Sequence, residues 1–415
     1  MRHVVVMVTT SYPRFPGDSV GTFMEPIAKH VAARGHEVHI VAPWHPRITR
    51  AKVEDGVFFH FFHYAPVPAL NVFGYAAGLR ADVQLKTAAW LAAPLAMTAG
   101  WFKALRVAQK KRATVMHGHW VVPGGVMAAA ARPALPLVVS LHGSDVYVAE
   151  RTAVAGLAAR RVFQRAGFVT ACSQDLADRA VGLGAARDRL EVVPYGVDTA
   201  RFTPAAGTRD AVRARIALAP GAPLIFTAGR LVRKKGFAYL IDALALIEAG
   251  AGLAPAHLAI AGGGDLAAEL RARASAAHVV SRVHFLGDLP QDEVGEWFAA
   301  ADAAVVPSVR DDSGNVDGLP NTVLEALASG TPLISTAAGG ITAVVEHGKS
   351  GVIVPERDPA ALAAALGALL RDPVRGAALG RAGRALVEAR FGWGAAAARF
   401  EAAYDRALAF NSLTR

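Results

Sequence analysis

Two basic residues five positions apart in a glycine-bounded turn, Arg230 and Lys235 in Gly229-Arg230-Leu231-Val232-Arg233-Lys234-Lys235-Gly236, are spaced to hold a diphosphate. An apolar run precedes them and a helical run follows, so they sit where a strand ends and a helix begins, the edge at which open α/β sheets bind ligands. Charge-assisted hydrogen bonds and close backbone approach would serve an anion there; the same pattern also reads as a solvated basic turn. Further on, Asp317-Gly318-Leu319-Pro320-Asn321-Thr322-Val323-Leu324-Glu325 puts two carboxylates eight apart across a loop and a helix start. Such a carboxylate accepts both hydroxyls of a ribose or sugar ring. A structural account competes: Thr322 and Glu325 match a capping box, with Gly330 and Pro332 closing the helix. The two are compatible, because a capped N-terminus still points N–H groups at an anion.

Other constellations are thinner. His117 and His119 lie two apart on a strand-like run and face one side, as a metal pair or as packing and acceptor contacts, with no third ligand indicated. Asp311-Asp312 matches a divalent-ion loop or a solvated turn. Cys172, the one cysteine, excludes a disulfide framework and reads as a small buried residue.

The elements that must position these residues repeat along the chain. Apolar β-branched runs alternate with alanine-rich helical runs, the pattern of parallel sheets covered by helices. The first series comprises His3–Thr10, a helix over Thr22–Arg34, Glu37–Pro43, Val115–Trp120, Leu137–His142, Phe168–Ser173 and Leu190–Pro194. A Pro-, Gly- and Ala-rich stretch follows, and a second series runs through Leu224–Gly229, His257–Ala261, Val283–Leu286, Ala303–Pro307, Pro332–Ser335 and Val352–Val354. Trp44–Phe73 reads as loop. At 415 residues, with 53% hydrophobic and 19% charged, the chain has apolar surface for two cores.

Lys and Arg exceed Asp and Glu by 44 − 34 = 10, and the basic residues are scattered, which argues against a nucleic-acid stripe and for an acidic substrate or membrane surface. Ala88–Phe102 is almost wholly apolar, contains Pro94, and is flanked by Lys86, Lys103, Arg106, Lys110, Lys111 and Arg112. It is shorter than the ~20 residues of a spanning helix. With Trp90, Trp101 and Phe102 beside cations it suits a helix lying in a membrane interface, or equally a core-facing helix pair. The start MRHVVVMVTT passes straight into a strand-like run, so no signal peptide is read and a cytoplasmic location is expected.

The clamp followed by D-x7-E resembles the E-x7-E signature of retaining glycosyltransferases of family 4. The likeness continues, in order, through SYPRFPGDSVGTF at 11–23, ARGHEVHIVAP at 33–43, HGHW at 117–120, LHGSD at 141–145, PYGVD at 194–198, AGGGD at 261–265 and FLGDLP at 285–290. The resemblance implies a GT-B α/β fold, two facing Rossmann-like domains with a ligand cleft between them: 1–205 for the acceptor, with helix 393–415 packing back on it, and 206–392 for the donor. It implies transfer of a hexosyl unit from a UDP- or GDP-sugar, with retention, to a glycan or lipid-linked acceptor in surface polysaccharide or glycolipid synthesis. Arg230 and Lys235 would neutralise the diphosphate, Glu325 would grip the ribose, the base would sit near Leu286-Gly287, and Gly21 would lie beside the phosphates. Asn315 to Thr322, including Gly318, Leu319, Pro320 and Asn321, would wrap the donor, with Asp317 at its sugar. His142 would contact the transferred sugar, with Asp145 and His119 on the acceptor and sugar side. No cofactor or obligatory metal is implied.

Three departures stand out: Asp317 replaces Glu, Val20-Gly21 replaces Gly-Gly, and Gly339-Gly340-Ile341-Thr342-Ala343 lacks the usual Pro and Glu. A nucleotide-sugar epimerase or hydrolase of the same fold, or a non-catalytic binder, stands as the alternative.

Overall fold

A computed structural model of the chain describes all residues except 1, 19, 66–70, 72, 76–78, 81–83, 86, 205–208, 248–253, 313 and 414–415; for 79–80, 84–85, 87–91 and 144 it describes the backbone alone. The chain forms two units, Met1–Tyr195 with Trp393–Arg415, and Gly196–Gly392. The division lies between Tyr195 and Gly196; the expected 205/206 boundary falls outside the described residues.

The first unit is built on an eight-stranded sheet in the order Leu190–Val192, Phe168–Ala171, Leu137–Leu141, Val115–His119, Val4–Val8, Glu37–Pro43, Val57–Phe62, Val53–Glu54. All neighbours are parallel except the edge strand Val53–Glu54. Strand order reverses beside Val4–Val8, whose neighbours are Glu37–Pro43 and Val115–His119. That switch point leaves a crevice at the carboxyl ends of Val4–Val8 and Val115–His119. Trp44–Phe73 is thus not all loop: Val57-Phe58-Phe59-His60-Phe61-Phe62 pairs with Glu37–Pro43, as its aromatic content favours.

The terminal helix Trp393–Leu413 packs against Met24–Ala33 and the strands Leu137–Leu141 and Phe168–Ala171. Tyr404 is fully buried, and an ion pair from Glu401 to Arg34, a hydrogen bond between Asp405 and the His3 ring and the approach of Glu401 to His36 Nε2 at 3.3 Å tie the helix down.

The apolar segment also differs from expectation. Instead of a short run or a helix pair it is one 24-residue helix, Thr87–Lys110, continuing through Pro94. Buried Ala96, Gly100, Ala104, Val107 and Ala108 form a helical stripe, and a Cβ at Gly100 would lie 2.5 Å from Met127 Sδ. Packing along that stripe outweighs the one backbone hydrogen bond that proline removes.

The second unit has a six-stranded parallel sheet in the order Val283–Gly287, His257–Ala261, Leu224–Ala228, Ala303–Val306, Leu333–Thr336, Val352–Val354. Ile225, Leu258, Ile260, Val305 and Ile334 pack with Leu240, Ile241 and Leu244 of the helix Phe237–Leu246 into one core. Here the order reverses between Leu224–Ala228 and Ala303–Val306, which places the switch point beside Gly229 and Pro307.

Candidate functional site

In the second unit the strand ends at the switch point are knitted together by backbone. Gly229 N–H donates to Ala261 O, Gly262 N–H to Gly287 O and Leu231 N–H to Gly263 O. Gly287 thus closes the strand Val283–Gly287 beside the basic turn. Gly236 has φ +69°, and a Cβ there would lie 1.9 Å from Pro307 O, so only glycine lets the turn pass this close to the next strand. At Gly229 a Cβ would stand 3.3 Å from Lys235 Cε, and its absence lets the lysine lie back over the strand end. Arg230 is exposed at that edge.

The acidic loop meets the basic turn directly. Asp317 Oδ1 is 3.0 Å from Lys234 Nζ and Asp317 Oδ2 is 2.6 Å from Lys235 Nζ. The two ammonium groups hold its carboxyl far below the usual carboxylate range although burial opposes this. The first carboxylate, expected at the donor sugar, is therefore engaged by lysines. Its shorter side chain stops at them, and Gly340 N–H on Gly318 O pins the loop behind it.

The capping-box account fails. The helix Asn321–Ala328 has Pro320 at its N-cap with no side-chain cap, and the Thr322 hydroxyl donates to Ala228 O at 3.1 Å. Thr322 thereby ties the helix start to the strand that carries the basic turn. Glu325 stays outside any cap; burial pushes its carboxyl up to about 7, with Lys235 and Arg201 pulling the other way. Asn315 is 1% exposed, with neither side-chain atom of its amide hydrogen-bonded. Leu319 and Pro320 are buried and Asn321 is the helix's first residue.

In the first unit His119 and His142 come together at the switch point. His142 Nε2 lies 3.0 Å from His119 Nδ1, and His142 Nδ1 lies 2.7 Å from the Tyr195 hydroxyl. The Phe23 ring stacks on Tyr195 and on the His142 side, with centroids 4.7 Å from each, and Trp120 closes another side at 4.8 Å. Trp120 has φ +62°, a strained conformation for a tryptophan directly after the strand carrying His119. Desolvation lowers His119 to about 3 and His142 well below its ordinary value, so both rings are neutral at physiological pH.

Asp145, expected on the acceptor and sugar side, instead clasps backbone. Its Oδ2 accepts from Val121 N–H at 2.8 Å and its Oδ1 from Gly143 N–H at 3.0 Å, and the carboxylate is buried. Three nearby N–H groups, a stronger pull than distant solvent, set that role. Gly21 has φ +66°, and its carbonyl accepts from Met24 N–H at the start of the helix Met24–Ala33.

The metal alternatives have other occupants. His117 and His119 do share one side, with ring centroids 4.0 Å apart, but His117 bonds Tyr404 and Ser140 through its two nitrogens. Asp311 Oδ1 accepts from Asn315 N–H and Asp312 pairs with Arg357. Among the described residues no group of three or more His, Cys, Asp or Glu could hold a metal ion. Cys172 is buried.

Tyr195, Phe23, Trp120 and Lys234 were not singled out from sequence as site residues. All four lie inside quoted stretches, PYGVD, SYPRFPGDSVGTF, HGHW and the basic turn Gly229–Gly236, which was the available signal.

The comparisons fit this geometry. The family model described as Glycosyltransferase Family 4 matches residues 20–201, and that described as Glycosyl transferases group 1 matches 222–372. D-inositol 3-phosphate glycosyltransferase 1 of Catenulispora acidiphila is 36% identical over 314 residues, 71% of this chain and 72% of its own length. The chain belongs to glycosyltransferase family 4. It is a retaining glycosyltransferase, and membership sets aside the epimerase, hydrolase and non-catalytic readings. The GDP-mannose-dependent alpha-(1-6)-phosphatidylinositol monomannoside mannosyltransferase of Mycolicibacterium smegmatis is 36% identical over 249 residues, 60% of this chain and 64% of that protein. Among solved structures, sucrose-phosphate synthase from Thermosynechococcus elongatus aligns at TM-score 0.78 with 21% identity, covering 98% of this chain and all of that one. Anabaena HepE with UDP-glucose aligns at 0.75 with 18% identity over 97% and 99%. These two likenesses give the family 4 chain its GT-B fold.

Proposed function

We propose that this glycosyltransferase moves a hexosyl unit from a UDP- or GDP-sugar to a glycan or lipid-linked acceptor in cell-surface polysaccharide or glycolipid synthesis. The observation that carries the donor half is the basic turn at the switch point of the second unit, with Lys235 lying over the strand end and Thr322 tying the helix of Glu325 to the strand that leads into the turn. Arg230 and Lys235 are assigned to the leaving diphosphate, where preorganised positive charge lowers the barrier most. Glu325 is assigned to the ribose, Leu286-Gly287 to the base, Asn315 and Gly318 to Thr322 to the phosphate and sugar, and Gly21 to the phosphates, while Asp317 is held by Lys234 and Lys235. His142, positioned by His119 and Tyr195, is assigned to the transferred sugar. In the reaction the anomeric C–O bond to the diphosphate breaks as the acceptor oxygen bonds the same carbon on the same face. The acceptor's proton passes to a leaving phosphate oxygen. The charge neutralisation calls on no metal or cofactor.

Relatives' names favour this reading and narrow the first assays. One uses GDP-mannose, another was solved with UDP-glucose, and both named relatives act on inositol-bearing acceptors. Inositol phosphates are therefore the acceptors to assay first.

We further assign the enzyme to the cytoplasm, peripheral to an anionic membrane. No helix among the described residues is long and apolar enough to cross one. The helix Thr87–Lys110 exposes Leu95 (60%), Trp101 (36%) and Phe102 (50%), with Arg106 over the Phe102 ring and Lys103 and Lys110 alongside, a face suited to headgroups. The Trp90 side chain lies outside the described residues.

A thermal-shift screen with UDP, GDP, ADP and their sugars tests the donor half, because a ligand of the folded state raises the midpoint by mass action. One diphosphate should shift the wild type and fail to shift Arg230→Ala. No shift from any of them would sink the assignment.

A further inference from the structure

The three charges beside the turn, buried Lys234 and the partly buried Asp317 and Lys235, do more than pair. Their side chains are 9%, 13% and 14% exposed, and Asp317 gives one oxygen to each ammonium, so the triad is anchored at one end and reactive at the other. The anchored end is Lys234, whose carbonyl accepts from Val309 N–H at 2.8 Å and so is fixed to the loop that leaves the strand Ala303–Val306 at the switch point. The reactive end is Lys235, the lysine of the diphosphate clamp. A diphosphate arriving at Lys235 carries negative charge toward Asp317 Oδ2, 2.6 Å from the same ammonium, and the two anions repel. A buried carboxylate stripped of its only cation is strongly destabilising. With a second lysine on Oδ1, Asp317 keeps a partner when the first one leaves.

We propose that Lys234 is a positioning residue that holds Asp317 by Oδ1, so that Lys235 can exchange its carboxylate partner for the donor's diphosphate. The inference rests on the assignment of Lys235 to the diphosphate. It gives the Asp-for-Glu departure a physical sense: the shorter side chain keeps the carboxylate back at the two lysines, where it sets the position of Lys235.

The test is calorimetric titration of the full chain with UDP and GDP, using whichever binds the wild type. Lys234→Met should weaken binding at least about tenfold, since the carboxylate then retains Lys235. Lys234→Arg, which preserves the cation, should stay within about threefold of wild type. The double variant Lys234→Met/Asp317→Asn should recover to within about threefold, because a neutral amide leaves no charge stranded. Wild-type affinity in Lys234→Met, or a double variant no better than it at unchanged Tm, overturns the proposal. If Lys234→Met alone does not fold, Asp317→Asn and the double variant must bind alike. A double variant about tenfold weaker than Asp317→Asn would mean that Lys234 itself touches the diphosphate, and overturns the proposal as well. A wild type that binds neither nucleotide fails the donor assignment, and this inference with it.

Discussion

The Nδ1 of His142 lies 2.7 Å from the Tyr195 hydroxyl while its Nε2 lies 3.0 Å from His119 Nδ1. A neutral imidazole has one donor and one acceptor nitrogen, so these two bonds saturate the ring. A sugar hydroxyl reaches it only by displacing a partner, which makes Tyr195 part of how His142 is presented.

Tyr195→Phe removes the partner on Nδ1 and leaves the ring free to turn. The expected result is a fall in kcat of about tenfold with the donor KM within about twofold, the scale of one hydrogen bond. A KM effect without a kcat effect would place Tyr195 at the donor instead.

Burial keeps His117, His119 and His142 below their ordinary range. Their folded values lie below their unfolded ones, so the unfolded chain binds more protons on acidification and the first unit loses stability as pH falls through about 6.5. NMR of the His142 ring should show no titration between pH 5.5 and 8. A midpoint near 6.5 would refute its burial as a neutral group.

Glu325 has the opposite sign. Its folded value of about 7 lies above the ordinary 4.5, so stability is full below 4.5 and is lost as pH rises toward 7. Glu325→Gln should match the wild type in Tm at pH 4.5 and exceed it at pH 7.5, while nucleoside diphosphate binding weakens. Equal Tm values at both pH values would contradict the raised carboxyl.

Gly236→Ala must place a Cβ 1.9 Å from Pro307 O at φ +69°. Strain and overpacking together predict a loss of about 2–5 kcal/mol in denaturant unfolding, or a turn displaced with Lys235 and therefore poor diphosphate binding. A variant with wild-type stability and binding would show the turn to be looser than the structure has it.

On the helix Thr87–Lys110, Trp101→Ser/Phe102→Ser deletes the two exposed rings. Cosedimentation with vesicles containing phosphatidylglycerol should fall at least about tenfold, given the apolar area removed. Undiminished sedimentation would retire the membrane contact.

Local pattern determined a good deal of this protein by itself. Alternation of β-branched and alanine-rich runs specified two parallel sheets, because strand and helix periods are properties of neighbouring residues. Glycines at 229 and 236 and carboxylates at 317 and 325 marked, through their spacing, the basic turn and the acidic loop that meet beside the second sheet, and ordered motifs supplied the family. The aromatic strand Val57–Phe62 was equally local, though it lay inside a stretch read as loop. Partners were another matter. Thr322 bonds Ala228 across 94 residues, His142 bonds Tyr195 across 53, and His117 bonds Tyr404 across 287. Asp317 turned to two lysines more than 80 positions earlier, and Asp145 to the N–H of Val121. Which polar group meets which depends on the order in which strands cross in the sheet, and on where that order reverses. No local period encodes this, so the chemistry of each candidate residue was legible in the sequence while its occupation was decided by the tertiary fold.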